Sequence, residues 1–316
     1  MAGDPTLPRE SGRRASGEAS GHLTGGGSAV AGARLLRAGL LGRGIEESRS
    51  PQMHEAEGAR LGLRYEYRLF DFDRLALRDA ELPRLMTRLR EEGFSGVNVT
   101  HPFKEHIVPH LDRLSSDAAA IGAVNTVVFD AQGTVGHNTD CWGFAESFRR
   151  GLSRPGLEEV VLLGAGGGGM AVARALQDLG VRRLAIFDTN AGKAARLVAA
   201  VNSDPGPTGA VVAEDREAAL LRADGLVNAT PVGMAKYPGT PIESRWLRPA
   251  LWVAELIYFP AETELLRAAA AAGCDTLRGE GMAIFQAVKA FELITGLSPD
   301  AQEMAHHFYS NRQARR

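Results

Sequence analysis

The sequence predicts an α/β chain of two domains, the second a doubly wound parallel sheet, and three observations carry that reading. Strand-like and helical segments alternate from about Arg34 onward, as in layered α/β architectures. Val160, Val161, Leu162 and Leu163 form an unbroken apolar run, the pattern of a strand buried on both faces. That run leads directly into Gly164-Ala165-Gly166-Gly167-Gly168-Gly169 and then into an amphipathic helix.

Length and composition set the outer bounds. A chain of 316 residues suits two domains of roughly 150 residues each. With 44% hydrophobic and 23% charged residues it can bury an ordinary core. A net charge of −2 provides no electrostatic basis for a nucleic acid or an anionic membrane as partner. No apolar run reaches membrane-spanning length. Cys141 and Cys274 are too few for a disulfide framework, which points to a reducing cytoplasm. No metal site is expected, and a homodimer is an assembly that the sequence permits without specifying. Residues 1–33 are rich in Gly, Ser and Ala and nearly devoid of large apolar side chains, so they are expected to be a disordered, dispensable extension.

In chain order, "LLRAGLLG" reads as the first strand, followed by a helix from Pro51. "RYEYRLFDF" alternates as a strand does, and a helix follows over 78–92. "GVNV" is the third strand, leading through Thr100 and Pro102 into a helix. "AVNTVVFDAQGTVGHNT" reads as a β-hairpin turning at Asp130 to Gly133. The second domain then shows strands at "EEVVLLG", "LAIFD", "GAVVA", "DGLVNAT" and "WVAELIY", with helices between most of them. "ETELLRAAAAAG" is a helix ending at Gly273. Helices over 281–296 and 299–312 close the chain and are expected to return to the first domain. The expected boundaries are 34–139, 140–279 and 280–316.

The glycine segment fits G-x-G-x-x-G, a weak signal alone because glycine-rich loops are common. Here a buried strand precedes it, a helix follows, and Asp188 ends the next strand about 20 residues on. Glycines allow a tight turn and close approach, the helix N-terminus attracts a diphosphate, and a carboxylate accepts from ribose hydroxyls. Asp188 also opposes a 2′-phosphate, and Thr189 and Asn190 follow it where a phosphate-gripping arginine would be expected. The reading is therefore a Rossmann-type domain for NAD rather than NADP. The alternative is that Asp188 caps the next helix while Arg216 reaches a phosphate.

Other motifs have bland explanations as strong as functional ones. In "ESRSPQMHEAEG", Ser50 is expected to cap a helix opening at Pro51, with Met53, Ala56, Ala59 and Leu63 facing inward. Ser48 and Ser50 would equally suit a carboxylate at that helix N-terminus. In "GVNVTHPFKE", Thr100 can cap, and Lys104 then sits near a helix N-terminus, where an ammonium is disfavoured by about 0.3–1 kcal/mol. Lys104 could pair with Glu105, Asp112 or Asp140, and Asp140 and Asn125 could each be purely structural.

Taken together, these segments resemble the shikimate dehydrogenase family, above all its actinobacterial quinate/shikimate dehydrogenases. The likeness runs from Gly42 to Asp300 through "SRSPQMHEAEG", "GFSGVNVTHPFKE", "IGAVNTV", "GHNTD", "GAGGGG", "NATPVGM", "YFPAETELL" and "GMAIFQA". It implies a catalytic domain built from both chain ends, a dinucleotide domain inserted between them, and an active site in the cleft. It implies Lys104 and Asp140 as the catalytic pair, and Ser48, Ser50, Thr100, Asn125, Tyr258 and Gln286 as substrate contacts. Thr230, Gly281 and Met282 would approach the nicotinamide. The implied reaction is reversible NAD(P)-dependent oxidation of shikimate or quinate to the 3-dehydro ketone. Glu55 after His54, Cys141 after Asp140 and Glu255 before "LIY" depart from the frequent family residues. The alternatives are an NADP-dependent biosynthetic shikimate dehydrogenase and a sensor that kept the fold but lost the chemistry.

Overall fold

The computed structural model describes residues Leu35–Ser310. The expectation for residues 1–33, and for the last residues of the helix over 299–312, falls outside the described residues. Six strands form the first sheet: β1 (Leu35–Gly42), β2 (Arg64–Asp71), β3 (Gly96–Val99), β4 (Arg113–Leu114), β5 (Thr126–Asp130) and β6 (Gly133–His137). Their spatial order is β2-β1-β3-β5-β6-β4. β1 runs parallel to β2 and β3, whereas the β5–β6 hairpin pairs antiparallel to β3.

The second sheet holds β7 (Glu159–Leu163), β8 (Arg183–Phe187), β9 (Gly209–Val212), β10 (Gly225–Asn228), β11 (Trp252–Glu255) and β12 (Asp275–Leu277). All its pairings are parallel, in the order β12-β11-β10-β7-β8-β9. The order reverses between β7 and β10, the switch point where doubly wound sheets bind ligands. The continuous apolar run had this cause: Val160, Val161 and Leu162 are fully buried between helices on both faces.

The helices are α1 (Ser50–Arg60), α2 (Leu82–Glu91), α3 (Phe103–His106), α4 (Ser116–Ile121), α5 (Thr139–Gly151), α6 (Gly167–Asp178), α7 (Ala191–Ser203), α8 (Arg216–Arg222), α9 (Glu264–Ala271), α10 (Gly279–Thr295) and α11 (Ala301–Ser310). As expected, the last two return to the N-terminal part of the chain. Met53 of α1 shares a core with Ile284, Phe291, Met304 and Phe308. α10 also lies close against α5. A Cβ on Gly143 would come within 2.8 Å of the Gln286 nitrogen, and one on Gly281 within 2.2 Å of the Ser147 hydroxyl.

Several local expectations are corrected. Ser50 is the first residue of α1, not its cap; Arg49 holds the N-cap position without a side-chain bond, and the Ser50 N–H donates to the Ser48 hydroxyl at 3.3 Å. The buried face of α1 is Met53, His54, Glu57 and Gly58, whereas Ala59 is exposed. Two ionisable residues point inward because the partner surface is itself polar: Tyr65 meets His54, and the Asp300 N–H donates to Glu57. The helix after Pro102 is a four-residue turn with Pro102 at its N-cap, following a cis His101–Pro102 bond, and Thr100 does not cap it. The elements β4, α4 and β12, of two, six and three residues, are too short to show a periodicity in sequence.

Candidate active site

β3 is buried along its whole length and delivers the chain to Thr100, from which the α3 turn presents Lys104. Asp140 is the second residue of α5, and its backbone N–H donates to the capping Asn138 side chain at 3.1 Å. Asn138 is in turn tied to the Ala123 carbonyl at 3.0 Å. These anchors bring the Lys104 Nζ to 2.6 Å from the Asp140 carboxylate. The Lys104 side chain keeps 28% of its exposure and Asp140 only 8%, so the lysine is the partly open member of the pair and the carboxylate the buried one. Of the three carboxylates open to Lys104 in sequence, Asp112 is occupied by Thr134 and Asp140 is the one that pairs. The expected influence of a helix N-terminus on Lys104 has little to act through, since one turn carries little dipole. The charge that faces Lys104 is Asp140.

Asn125, just ahead of β5, orients that carboxylate. Its amide nitrogen donates to the second Asp140 oxygen at 2.9 Å and to the Gln286 side chain at 3.2 Å. Its oxygen accepts from the Thr139 N–H at 2.8 Å and from the Thr139 and Thr126 hydroxyls at 3.1 Å each. Because the Thr139 N–H can only donate and the Asp140 carboxylate only accept, the amide has one orientation. Gln286 reaches Asn125 because α10 and α5 meet through glycines.

Ser48, Ser50 and Thr100 line the same cleft as Lys104, and Tyr258 lies at its mouth, 51% exposed. Beneath them is a polar layer that sequence reasoning missed. The Tyr67 hydroxyl donates to the Asn98 side chain at 2.8 Å, and Asn98 donates to the Thr126 hydroxyl at 2.9 Å. His54 is wholly buried against Tyr65, Tyr67 and Phe291, with Nδ1 3.3 Å from the Tyr65 hydroxyl and Nε2 without a partner. Burial lowers its pKa to about 3. The available signal was an asparagine inside the otherwise apolar buried strand "GVNV".

Across the cleft, Gly164 has φ +95°, and a Cβ on Gly169 would lie 2.0 Å from the Gly164 carbonyl oxygen. Both positions therefore demand glycine. Gly166 and Gly167 have nothing within 4 Å of a built Cβ, leaving open space at the N-terminus of the 12-residue α6. Asp188 accepts from the Ala165 N–H at 2.7 Å and the Asn190 N–H at 2.8 Å. It does not cap α7; the Asn190 side chain does. Two acceptor positions of the Asp188 carboxylate are taken and about two remain. Arg216, the alternative phosphate ligand, donates to the Pro241 carbonyl at 3.1 Å. The loop, its helix and Asp188 fit a dinucleotide by shape and by donor and acceptor chemistry.

The cleft has a volume of about 1580 Å³ and is lined by Lys104, Asp140 and Asn125 on one side and by Gly168 and Met282 toward the other. Of the residues expected near the nicotinamide, Met282 is in that lining and Thr230 and Gly281 are not: Thr230 is held by Asn228 at 2.7 Å, and Gly281 faces Ser147 of α5. Among the described residues no cluster of three or more His, Cys, Asp or Glu is arranged to hold a metal ion, and no helix is long and apolar enough to cross a membrane.

Residues 40–127 match the family model described as the shikimate dehydrogenase substrate binding domain. A shikimate dehydrogenase (NADP(+)) of Streptomyces avermitilis is 52% identical over 268 residues, covering 84% of this chain and 92% of its own. A quinate/shikimate dehydrogenase (NAD(+)) of Corynebacterium glutamicum is 45% identical over 275 residues, covering 86% and 97%. Among solved structures, quinate dehydrogenase from Corynebacterium glutamicum in complex with NAD matches with a TM-score of 0.81 at 44% identity, covering 87% of this chain and 99% of that one. The architecture, the cleft and these likenesses converge: the chain belongs to the shikimate dehydrogenase family.

Proposed function

We propose that this chain catalyses reversible NAD-dependent oxidation of shikimate to 3-dehydroshikimate and of quinate to 3-dehydroquinate. One observation carries the reading: the Lys104–Asp140 pair and Gly168 of the glycine loop line one cleft. Residues 34–139 with 280–316 form the substrate side and 140–279 the coenzyme side.

Oxidation of a ring alcohol to a ketone removes a hydride and a proton. The bound nicotinamide coenzyme supplies the hydride chemistry. Lys104, as the free amine, takes the hydroxyl proton and becomes an ammonium. Asp140 at 2.6 Å stabilises that ammonium and holds it in place, and Asn125 fixes Asp140. In the reverse direction Lys104 returns the proton to the forming alkoxide. Ser48, Ser50 and the N-terminus of the 11-residue α1 receive the substrate carboxylate, while Thr100 and Gln286 read the ring hydroxyls and Asn125 turns to them the N–H that it otherwise gives Gln286. Tyr258 closes the substrate from the mouth, and Thr230, Gly281 and Met282 flank the nicotinamide. Both acids fit this scheme because the two serine hydroxyls can bond the extra quinate hydroxyl.

Asp188 supports NAD: its free acceptor positions suit ribose hydroxyls, and its charge opposes a 2′-phosphate. The Streptomyces relative, named for NADP(+), favours the second reading, an NADP-dependent biosynthetic enzyme. The free thiols Cys141 and Cys274 accord with a reducing cytoplasm. The deciding experiment measures kcat/KM for shikimate and quinate with each coenzyme. Turnover of both acids, faster with NAD, is expected; a preference for NADP or no turnover of either acid would overturn the reading.

A further inference from the structure

Glu255 and Asn228 end the neighbouring central strands β11 and β10, and both are buried, at 2% and 0% exposure. The two Glu255 oxygens each accept from the Asn228 amide at 3.0 Å. One also accepts from the Ile257 N–H at 3.1 Å, the other from the Thr263 hydroxyl at 3.0 Å. Each of these donors is neutral. A buried carboxylate held by neutral donors alone is expensive, and burial pushes this one up to about 7 against the pull of those same bonds.

The bonds radiate into two loops. Asn228 donates onward to the Val232 carbonyl at 3.0 Å, and its oxygen accepts from the Thr230 N–H at 3.0 Å and hydroxyl at 2.7 Å. Its backbone carbonyl accepts from the Leu256 N–H at 3.1 Å. Thr263 caps α9 through the Leu266 N–H at 3.3 Å. The loops also touch, since a Cβ on Gly233 would lie 3.2 Å from both Ile257 and Thr263 side-chain atoms. Between Ile257 and Thr263 lies the exposed pair Tyr258 and Phe259.

We propose that Glu255 is a positioning residue that, through Asn228, locks the loops after β10 and β11 into one unit and so sets Thr230 and Tyr258 in register across the cleft. The functional consequence rests on the proposed assignment of Thr230 to the nicotinamide side and Tyr258 to the substrate side. A glutamine cannot reproduce the whole set: its NH2 group no longer accepts from the Asn228 amide at one of the two oxygen positions, and the Thr263 hydroxyl would have to turn from donor to acceptor. A carboxylate is the group that accepts all of these bonds at once.

The test combines exchange and kinetics on the full chain. In Glu255→Gln, amide hydrogen exchange should accelerate jointly in peptides covering 229–233 and 256–263, with the β1–β3 peptides unchanged. KM for shikimate and for NAD should rise together, by about tenfold for the lost bonds. A merely structural role would lower the active fraction, and hence kcat, with both KM values unchanged. Glu255→Asp keeps the charge but withdraws it by one methylene, so it should show the same joint acceleration to a smaller degree. That variant also carries the test if the glutamine variant fails to fold. Acceleration confined to one loop, or absent from both, would overturn the proposal. Because exchange needs no substrate, it reads the latch even if neither acid is turned over.

Discussion

The proposed coenzyme side rests on the backbone of six consecutive residues, Gly164 to Gly169, whereas the proposed substrate side gathers side chains from α1, α3, α5, α10 and the residue just ahead of β5. On the first side, what matters is the absence of Cβ atoms and the end of one helix. On the second, it is a relay of hydrogen bonds from Gln286 through Asn125 and Asp140 to Lys104. A site made of local backbone has a fixed spacing in sequence. A site made of dispersed side chains has none, and its members look individually ordinary.

The two sides should fail differently. Replacing Lys104 by Ala should lower kcat by about 10²–10⁴-fold with a smaller change in KM, since proton transfer acts in the transition state. Steady-state kinetics check this, and an unchanged melting curve would show that only chemistry was lost. Gly169→Ala should do the reverse. Its methyl would meet the Gly164 carbonyl, so the loop must shift, at about 1–3 kcal/mol for overpacking. KM for NAD should rise and thermal stability fall; an unchanged KM for NAD would break the comparison.

The polar layer beneath the substrate side gives a third contrast, read by pH. His54 has its pKa lowered from 6.5 to about 3 by burial, so the native state binds fewer protons than the unfolded chain between those values. Its contribution is therefore fully present above 6.5 and lost as pH falls toward 3. At pH 5 the loss is about 2 kcal/mol, from roughly 1.4 kcal/mol per pH unit. Glu255, raised to about 7, works in the opposite sense, its contribution fading as pH rises through that value. Urea unfolding of the parent and of His54→Phe at pH 7.5 and 5.0 isolates the histidine. The parent should lose more stability than the variant, and equal losses would contradict the assignment.

The smallest effect is expected at the coenzyme rim. Asp188→Ala with Thr189→Arg should narrow or reverse the preference for NAD, shifting the ratio of kcat/KM values by about tenfold, or 1.4 kcal/mol. An unmoved ratio would remove Asp188 from coenzyme selection.

The same contrast explains what could be read before the structure. The doubly wound sheet was legible because β7 and the glycines are contiguous and their burial pattern is unambiguous. The pairing of Lys104 with Asp140 was not, since three carboxylates were open to it and only the fold around Asn138 and Ala123 selects one. The family likeness supplied the pair that spacing could not. The dipole argument for Lys104 failed because α3 ends after four residues, a length hidden by the proline at its start. The Tyr67–Asn98 and Asn228–Glu255 pairs stayed hidden because each joins residues about 30 apart in sequence. Their trace was a single polar residue within a buried apolar strand.

In the proposed reaction the Lys104 amine carries the proton of the ring alcohol. Adding small primary amines of graded basicity to Lys104→Ala tests it most directly. The rate of NAD reduction with shikimate should climb with amine concentration and follow amine basicity, while KM for shikimate stays constant. Turnover by Lys104→Ala equal to that of the parent, without added amine, would contradict it.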